Sequence, residues 1–114
     1  MKSIPRPGTS ARGSTTGRPI MALLDLLGRR WAMRILWELG QQPRSFRDLQ
    51  ACCDQVSSSV LNARLGEMRE VGLIEPGEGG YVLTGMGQEL LRCIAPLRGW
   101  ADKWAQALEQ QSGG

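Results

Sequence analysis

Side chains that can hydrogen-bond to DNA bases or phosphates recur at helical spacing between residues 57 and 69. At about 100° per residue, one face of this segment is apolar and consists of Val60, Leu61, Leu65, Met68 and Val71. The opposite side holds only small or hydrogen-bonding residues: Ser58, Ser59, Asn62, Ala63, Gly66 and Arg69. A helix that enters the major groove needs such a face, because bulky side chains would hold it away from the base edges.

We therefore predict that this segment is a DNA-recognition helix. The side chains expected to face the bases are those of Ser57, Ser58, Ser59, Asn62 and Ala63, and those expected to reach phosphates are Arg64 and Arg69. Ser45 and Arg47, from the short helix before it, complete the predicted DNA contacts. The alternative is that the serine run only caps the helix and that the polar face is solvated.

Cysteine and histidine usage argues against catalysis. The chain has no histidine and three cysteines, Cys52, Cys53 and Cys93. Histidine, the commonest general base and metal ligand, is thus missing. The chain also lacks a C-x-x-C pair, which would indicate a zinc site. We expect no enzyme activity, no cofactor and no metal. The cysteines are either small buried residues or a thiol or soft-metal sensor, although neighbouring cysteines pair only with strain.

Positive charge is concentrated at the N-terminus. The net charge is +3, yet residues 1–19 carry Lys2, Arg6, Arg12 and Arg18 and no acid, so the rest is nearly neutral. This segment is rich in Gly, Pro, Ser and Thr, which predicts a disordered basic arm. The arm is either a solvated tail or a phosphate contact. Residues 111–114 are predicted to be a frayed tail.

The order of the predicted elements indicates a mainly α fold with a small β-hairpin. Helices are expected at about residues 20–27, 29–39, 46–53 and 57–71, and at 85–107 or beyond, with glycines 28, 40 and 72 after the first, second and fourth of them. Ser45 to Asp48 matches a capping box, and Thr84 caps the last helix, which Pro96 should kink. Residues 73–75 and 81–83 read as strands. This order of elements predicts a winged helix-turn-helix domain over residues 20–110.

The last helix carries an apolar stripe of Leu90, Leu91, Ile94, Leu97, Trp100, Ala101, Trp104 and Leu108. Aromatic residues near a chain end are typical of a protein interface, which predicts a homodimer; the alternative is that they pack on their own domain. A dimer would place two reading helices about 34 Å apart on an inverted-repeat operator.

Several segments in register resemble HxlR-type winged-helix regulators. They are Leu24–Trp31 with Ile35–Leu39, Arg44–Leu49 ("R-F-x-E-L"), Val56–Ile74 ("I-S-x-x-x-L…L…D-G-L-V"), and Tyr81–Thr84 with Gly87 ("Y-x-L-T-x-x-G"). The resemblance implies a bacterial DNA-binding dimer joined through the first and last helices, which adds Leu23, Leu24 and Leu27 to the interface.

Two features depart from that family. Many members carry a sensing cysteine before the proline that opens the first helix, where this chain has Arg18 and Pro19. The family's wing is usually longer and basic, whereas this turn holds Glu75 and Glu78. The acidic wing keeps a second hypothesis open, a winged-helix protein-interaction module that does not bind DNA.

The expected location is the cytoplasm, because the sequence has neither a secretory signal nor about 20 consecutive apolar residues. The predicted partners are double-stranded DNA and a second copy of the chain, acting as a repressor. A redox or small-molecule effector, for example an aromatic compound near Trp37, Trp100 and Trp104, is a further hypothesis.

Overall fold

The computed structural model describes residues 18–113, and side chains as far as residue 111. It contains five helices and one two-stranded antiparallel sheet, and it confirms the predicted winged helix-turn-helix architecture. The elements are α1 (Pro19–Leu27), α2 (Ala32–Gln41), α3 (Phe46–Cys52), α4 (Ser58–Glu70), β1 (Ile74–Gly77), β2 (Gly80–Leu83) and α5 (Gly85–Gly113).

The predicted N-terminal arm falls largely outside this range, whereas most of the predicted C-terminal tail falls within it. Of the predicted basic arm, only Arg18 and Pro19 are described, and Pro19 is already the first residue of α1. At the other end α5 continues to Gly113, three residues beyond the predicted domain boundary at 110. Within residues 18–113 no helix is long and apolar enough to cross a lipid bilayer.

Helix α2 differs from its prediction at both ends. It begins at Ala32, not near residue 29, because the backbone turns at Trp31, whose φ is 73°. It also passes through Gly40, which was expected to end it, and stops after Gln41. Gly40 is a packing position: a Cβ there would overlap the end of the Leu91 side chain, so the glycine lets α5 lie close against α2.

The helix-turn-helix is defined by its caps. The predicted capping box is confirmed: Ser45 Oγ accepts from the Asp48 N–H at 3.1 Å, and the Asp48 carboxylate accepts from the Ser45 N–H at 3.2 Å. Ser57 Oγ accepts from the Val60 N–H at 3.3 Å and so caps α4. These contacts satisfy helix N–H groups that have no intrahelical partner.

The wing is short. Ile74 pairs with Leu83 and Gly77 with Gly80, so only two residues form the turn, and both strands extend further toward it than predicted. Close to the turn, Arg44 and Tyr81 exchange backbone hydrogen bonds of 3.2 and 2.8 Å, which tie the segment before α3 to β2. Thr84 Oγ1 accepts from the Gly87 N–H at 3.0 Å, which confirms the predicted cap of α5.

One apolar core joins the first four helices to the wing. Its most deeply buried side chains are Ile35, Leu36, Leu49, Cys53, Leu61, Met68 and Ile74. Helix α5 shares in this core only through Leu90, Leu91 and Ile94. From Ala95 to Gln111 every side chain of α5 is exposed. The first part of α5 therefore packs on the domain core, and the second part extends beyond it.

Candidate nucleic-acid interface

Helix α4 presents the small polar face that its sequence predicts. Leu61, Leu65 and Met68 are at most 3% exposed and hold the helix against the core. On the outer side the exposed residues are Ser58, Ser59, Asn62, Ala63, Gly66 and Arg69. The helix can thus approach a flat-walled groove without a large side chain in the way.

The serine run divides its hydroxyls between capping and the surface. The Ser57 hydroxyl serves the cap and also lies 3.3 Å from Ser59 Oγ. Gln50 of α3 donates to the Val56 carbonyl at 3.1 Å and to Ser58 Oγ at 3.3 Å. Gln50 therefore links the two helices of the motif. The sequence pattern does not reveal this link, because only the turn brings residues 50 and 58 together.

The predicted phosphate-contacting arginines have different surroundings. Arg47 and Arg69 are exposed. Arg64, by contrast, donates to the Arg30 carbonyl at 2.9 Å and to Glu67 at 2.6 Å, and its side chain is 19% exposed. The guanidinium groups of Arg47 and Arg69 are consequently more accessible to an anion than that of Arg64. Arg64 instead links α4 to the loop after α1.

Ion pairs of low exposure connect α4 to α1. Arg29, in the loop between α1 and α2, donates to Glu67 at 2.6 Å and lies 3.5 Å from Asp25. The Arg29 and Glu67 side chains are 8% and 13% exposed. Together with Arg64, these groups form what we call the α1–α4 ion cluster: Asp25, Arg29, Arg64 and Glu67. The cluster fixes the polar helix relative to the N-terminal helix.

The wing offers no cation to a phosphate. Residues 74–83 contain neither Lys nor Arg, and the carboxylates of Glu75 and Glu78 are exposed. The nearest arginine along the hairpin's edge, Arg44, directs its side chain to Glu38 at 2.9 Å. The exposed arginines of this region, Arg47 and Arg69, therefore lie on α3 and α4 and not on the wing.

Apolar side chains of α1 and α5, the first and last helices of the described residues, are exposed. On α5 the exposed fractions are 60% for Leu97, 58% for Trp100, 54% for Trp104 and 45% for Leu108, and Ala101 is exposed beside them. The two Trp rings stack with centroids 5.9 Å apart. On α1, Leu24 is 54% exposed, whereas Leu23 and Leu27 are half-buried. Ile20, Met33 and Met86, also exposed, were not predicted.

The cysteines occupy three different environments. Cys53 is fully buried and Cys52 half-buried, whereas Cys93 is exposed. Burial raises the pKa of both Cys52 and Cys53, and a hydrogen bond to Glu38 raises that of Cys52 further. Both groups therefore favour the unreactive thiol. No group of three or more Cys, Asp or Glu side chains in the described chain is arranged to hold a metal ion.

Comparison with known proteins gives one consistent result. The model of the HxlR-like helix-turn-helix family matches residues 26–109. An HTH-type transcriptional regulator of Methanocaldococcus jannaschii is 31% identical over 91 residues, which are 76% of this chain and 86% of that one. The regulator YodB of Bacillus subtilis is 26% identical over 101 residues, 82% of this chain and 90% of that protein.

Solved structures agree with this result. The crystal structure of quinone-bound YodB from B. subtilis has a TM-score of 0.68 at 27% identity, and the match covers 74% of this chain and 94% of that one. A possible HxlR family transcriptional factor from Thermoplasma volcanium has a TM-score of 0.65 at 27% identity, covering 77% and 85%.

Proposed function

The chain belongs to the HxlR-like helix-turn-helix family of transcriptional regulators, and on this premise we propose that it represses transcription as a homodimer bound to an inverted-repeat operator. DNA binding follows from membership in that family, whose members are named as HTH-type regulators. The observation that carries the proposal is the exposed small polar face of α4. This helix is the second helix of the capped helix-turn-helix, and its opposite face packs on the core.

The N-terminal half of α4 is the part that would read bases. Asn62 matches the donor and acceptor pair at an adenine edge, and Ser58 and Ser59 suit several edges. Arg69 and Arg47 would contact phosphates on either side. The first N–H groups of α4, together with the positive end of its dipole, would favour a further phosphate.

A dimer accounts for the exposed apolar side chains of α1 and α5. Trp100, Trp104, Leu97 and Leu24 each leave more than half of their surface uncovered. Exposed apolar side chains of this size are typical of a protein interface. Two-fold pairing would set the two α4 helices about 34 Å apart, one turn of DNA, and would require an inverted repeat.

Selection of bound sites from random DNA tests this proposal. We expect an inverted repeat with half-site centres about 10 base pairs apart. Asn62→Ala should weaken binding by about 1–3 kcal/mol and relax the preference at one or two positions. Arg69→Ala should weaken binding to all sequences and lower the slope of log K against log salt by about 0.9.

Leu65→Ala separates recognition from folding. It should cost about 2–5 kcal/mol of stability, because Leu65 is buried, and leave the base preference of the remaining folded protein unchanged. If the Asn62→Ala and Arg69→Ala variants both bind DNA with wild-type affinity and preference, α4 is not the recognition helix.

The acidic wing favours one second candidate, a protein-interaction module without DNA binding. Glu75 and Glu78 are the charges that the wing exposes, and they would repel a phosphate backbone. Absence of DNA binding even at low salt would support this candidate, whereas steep loss of affinity with rising salt would exclude it.

We also propose that a small molecule modulates DNA binding. YodB, a relative of 26% identity, has been solved with a quinone bound. In this chain Arg18 stands at the position where the family resemblance places a sensing cysteine. We therefore expect a ligand held by noncovalent contacts.

A further inference from the structure

A cavity of about 490 Å³ lies where α2, the wing and α5 meet. Its volume falls within the roughly 300–1,000 Å³ of small-molecule sites. Most of its wall is apolar and includes Trp37, Gly40, Val82, Leu91 and Ala95. The cavity is separate from the exposed face of α4.

Close packing of α5 on α2 forms one side of this cavity. At Gly40 the Leu91 side chain occupies the space that a Cβ would take. Trp37 lies about one turn before Gly40 on α2, and Ala95 lies about one turn after Leu91 on α5. The half-exposed indole of Trp37 contributes a flat wall beside that contact.

The polar side chains that line the cavity carry no negative charge. They are Gln88 and Arg92, and no Asp or Glu side chain contributes to this wall. Arg92 takes part in no ion pair among the described residues. A second cation, Arg98, lies with its guanidinium carbon 5.0 Å from the Trp37 ring centroid. The cavity thus combines an apolar interior with positive charge at its edge.

We propose that this cavity binds a small aromatic carboxylate. The ring packs between Trp37 and Leu91, and the carboxylate accepts charge-assisted hydrogen bonds from Arg92, with Gln88 as a further donor. A cation would be repelled by Arg92 and Arg98, and a neutral ring would leave Arg92 unused. Positive charge and the flat indole wall therefore select both parts of the ligand.

Isothermal titration of the full chain with 2-naphthoate tests binding, and 2-naphthamide is the uncharged comparison. We expect 2-naphthoate to bind with a Kd of about 1 mM or lower and 2-naphthamide about tenfold or more weakly. Arg92→Gln should remove that difference. Lys103→Gln, which deletes a positive charge from the same helix about three turns away, should preserve it.

Three outcomes would overturn the proposal. They are no saturable binding of 2-naphthoate, equal affinity for the acid and the amide, and an Arg92→Gln variant that keeps the preference for the acid. If a second copy of the chain covers the cavity in solution, the first of these will be observed.

An effect on DNA is a separate measurement, because it rests on the proposed function. The cavity wall includes β2 of the wing and the helix expected to form the dimer, so a bound ligand contacts both. Saturating 2-naphthoate should change DNA affinity by about five-fold or more, and Arg92→Gln should abolish that change. Ligand binding without DNA binding would refute the proposed function and leave the site standing, whereas DNA binding without ligand binding would do the reverse.

Discussion

Two glycines in the first turn of α5 differ in their surroundings. A Cβ at Gly87 would overlap the carbonyl oxygen of Leu73, whereas a Cβ at Gly85 would meet nothing within 4 Å. Gly87 is thus required by the contact between α5 and the residue before β1. This contact gives a physical reason for the glycine in the Y-x-L-T-x-x-G segment.

We predict that Gly87→Ala lowers the free energy of unfolding by about 1–3 kcal/mol, because main-chain atoms must shift to admit the methyl group. Gly85→Ala, two residues away, should change it by less than about 1 kcal/mol. Urea denaturation of both variants measures the difference. Equal effects at the two positions would mean that α5 does not pack closely on Leu73.

The thiols should react at very different rates. Because burial raises the pKa of Cys52 and Cys53, both stay protonated at pH values where an ordinary thiol near pKa 9 begins to ionise. Cys93 is exposed. We predict one fast-reacting thiol per native chain with a chromogenic disulfide reagent at pH 8, and three after unfolding.

Cys93→Ser should remove the fast phase and leave the slow one. A fast phase that persists in this variant would show that Cys52 or Cys53 is accessible, and it would revive them as sensor candidates. As the pH rises, the slow thiols should gain reactivity only at pH values above those at which an exposed cysteine ionises.

Among the elements, α4 depends on ion pairs as well as on apolar packing. Glu67 accepts from Arg29 and from Arg64, both at 2.6 Å. Removing its charge would leave two poorly exposed guanidinium groups without their shared partner. The α1–α4 ion cluster therefore stabilises the orientation of the helix that carries the polar face.

We predict that Glu67→Gln lowers stability by about 1–3 kcal/mol and weakens DNA binding beyond that loss, because α4 is released from the loop after α1. Glu75→Gln, which neutralises an exposed wing carboxylate, is the control and should change stability by less than about 0.5 kcal/mol. Thermal denaturation and a DNA-binding titration give the two readouts.

A double-mutant cycle with Arg29→Met identifies the interaction itself. Residues in one ion network show coupling energies of about 0.5–3 kcal/mol, so the two substitutions should be less harmful together than their sum. Strict additivity would mean that Arg29 and Glu67 act independently.

For the whole molecule, the second half of α5 determines how much apolar surface remains uncovered. This part of the helix lies outside the core, and its stacked Trp100 and Trp104 are both more than half exposed. Burial of these side chains against a second copy of the chain would be favourable, and the proposed dimer would provide it.

We predict that Trp104→Glu makes the protein monomeric in size-exclusion chromatography with light scattering, at concentrations where the parent chain is a dimer. Stability of the domain core should change little, since Trp104 is more than half exposed. DNA affinity should fall because one half-site is lost. Gln106→Glu adds the same charge on another face of α5 and should leave the dimer intact. A monomeric parent chain would contradict the prediction.

Sequence alone determined what depends on neighbours along the chain. The capping box at Ser45, the cap at Thr84 and the left-handed Gly72, with φ of 83°, are each set within a few residues. The apolar face of α4 follows from its period, because Leu61, Leu65 and Met68 repeat along one helix. The winged-helix order, and with it the small polar face opposite those residues, was therefore readable without coordinates.

Tertiary structure decided what depends on residues distant in the chain. Gly40 appeared to end a helix, but its role is to admit Leu91. Arg64 appeared free to reach phosphate, but Glu67 and the Arg30 carbonyl hold it. Arg29 and Glu67, 38 positions apart, meet only once α1 and α4 pack together. Local pattern does not reveal such contacts, because they depend on how separate helices approach one another.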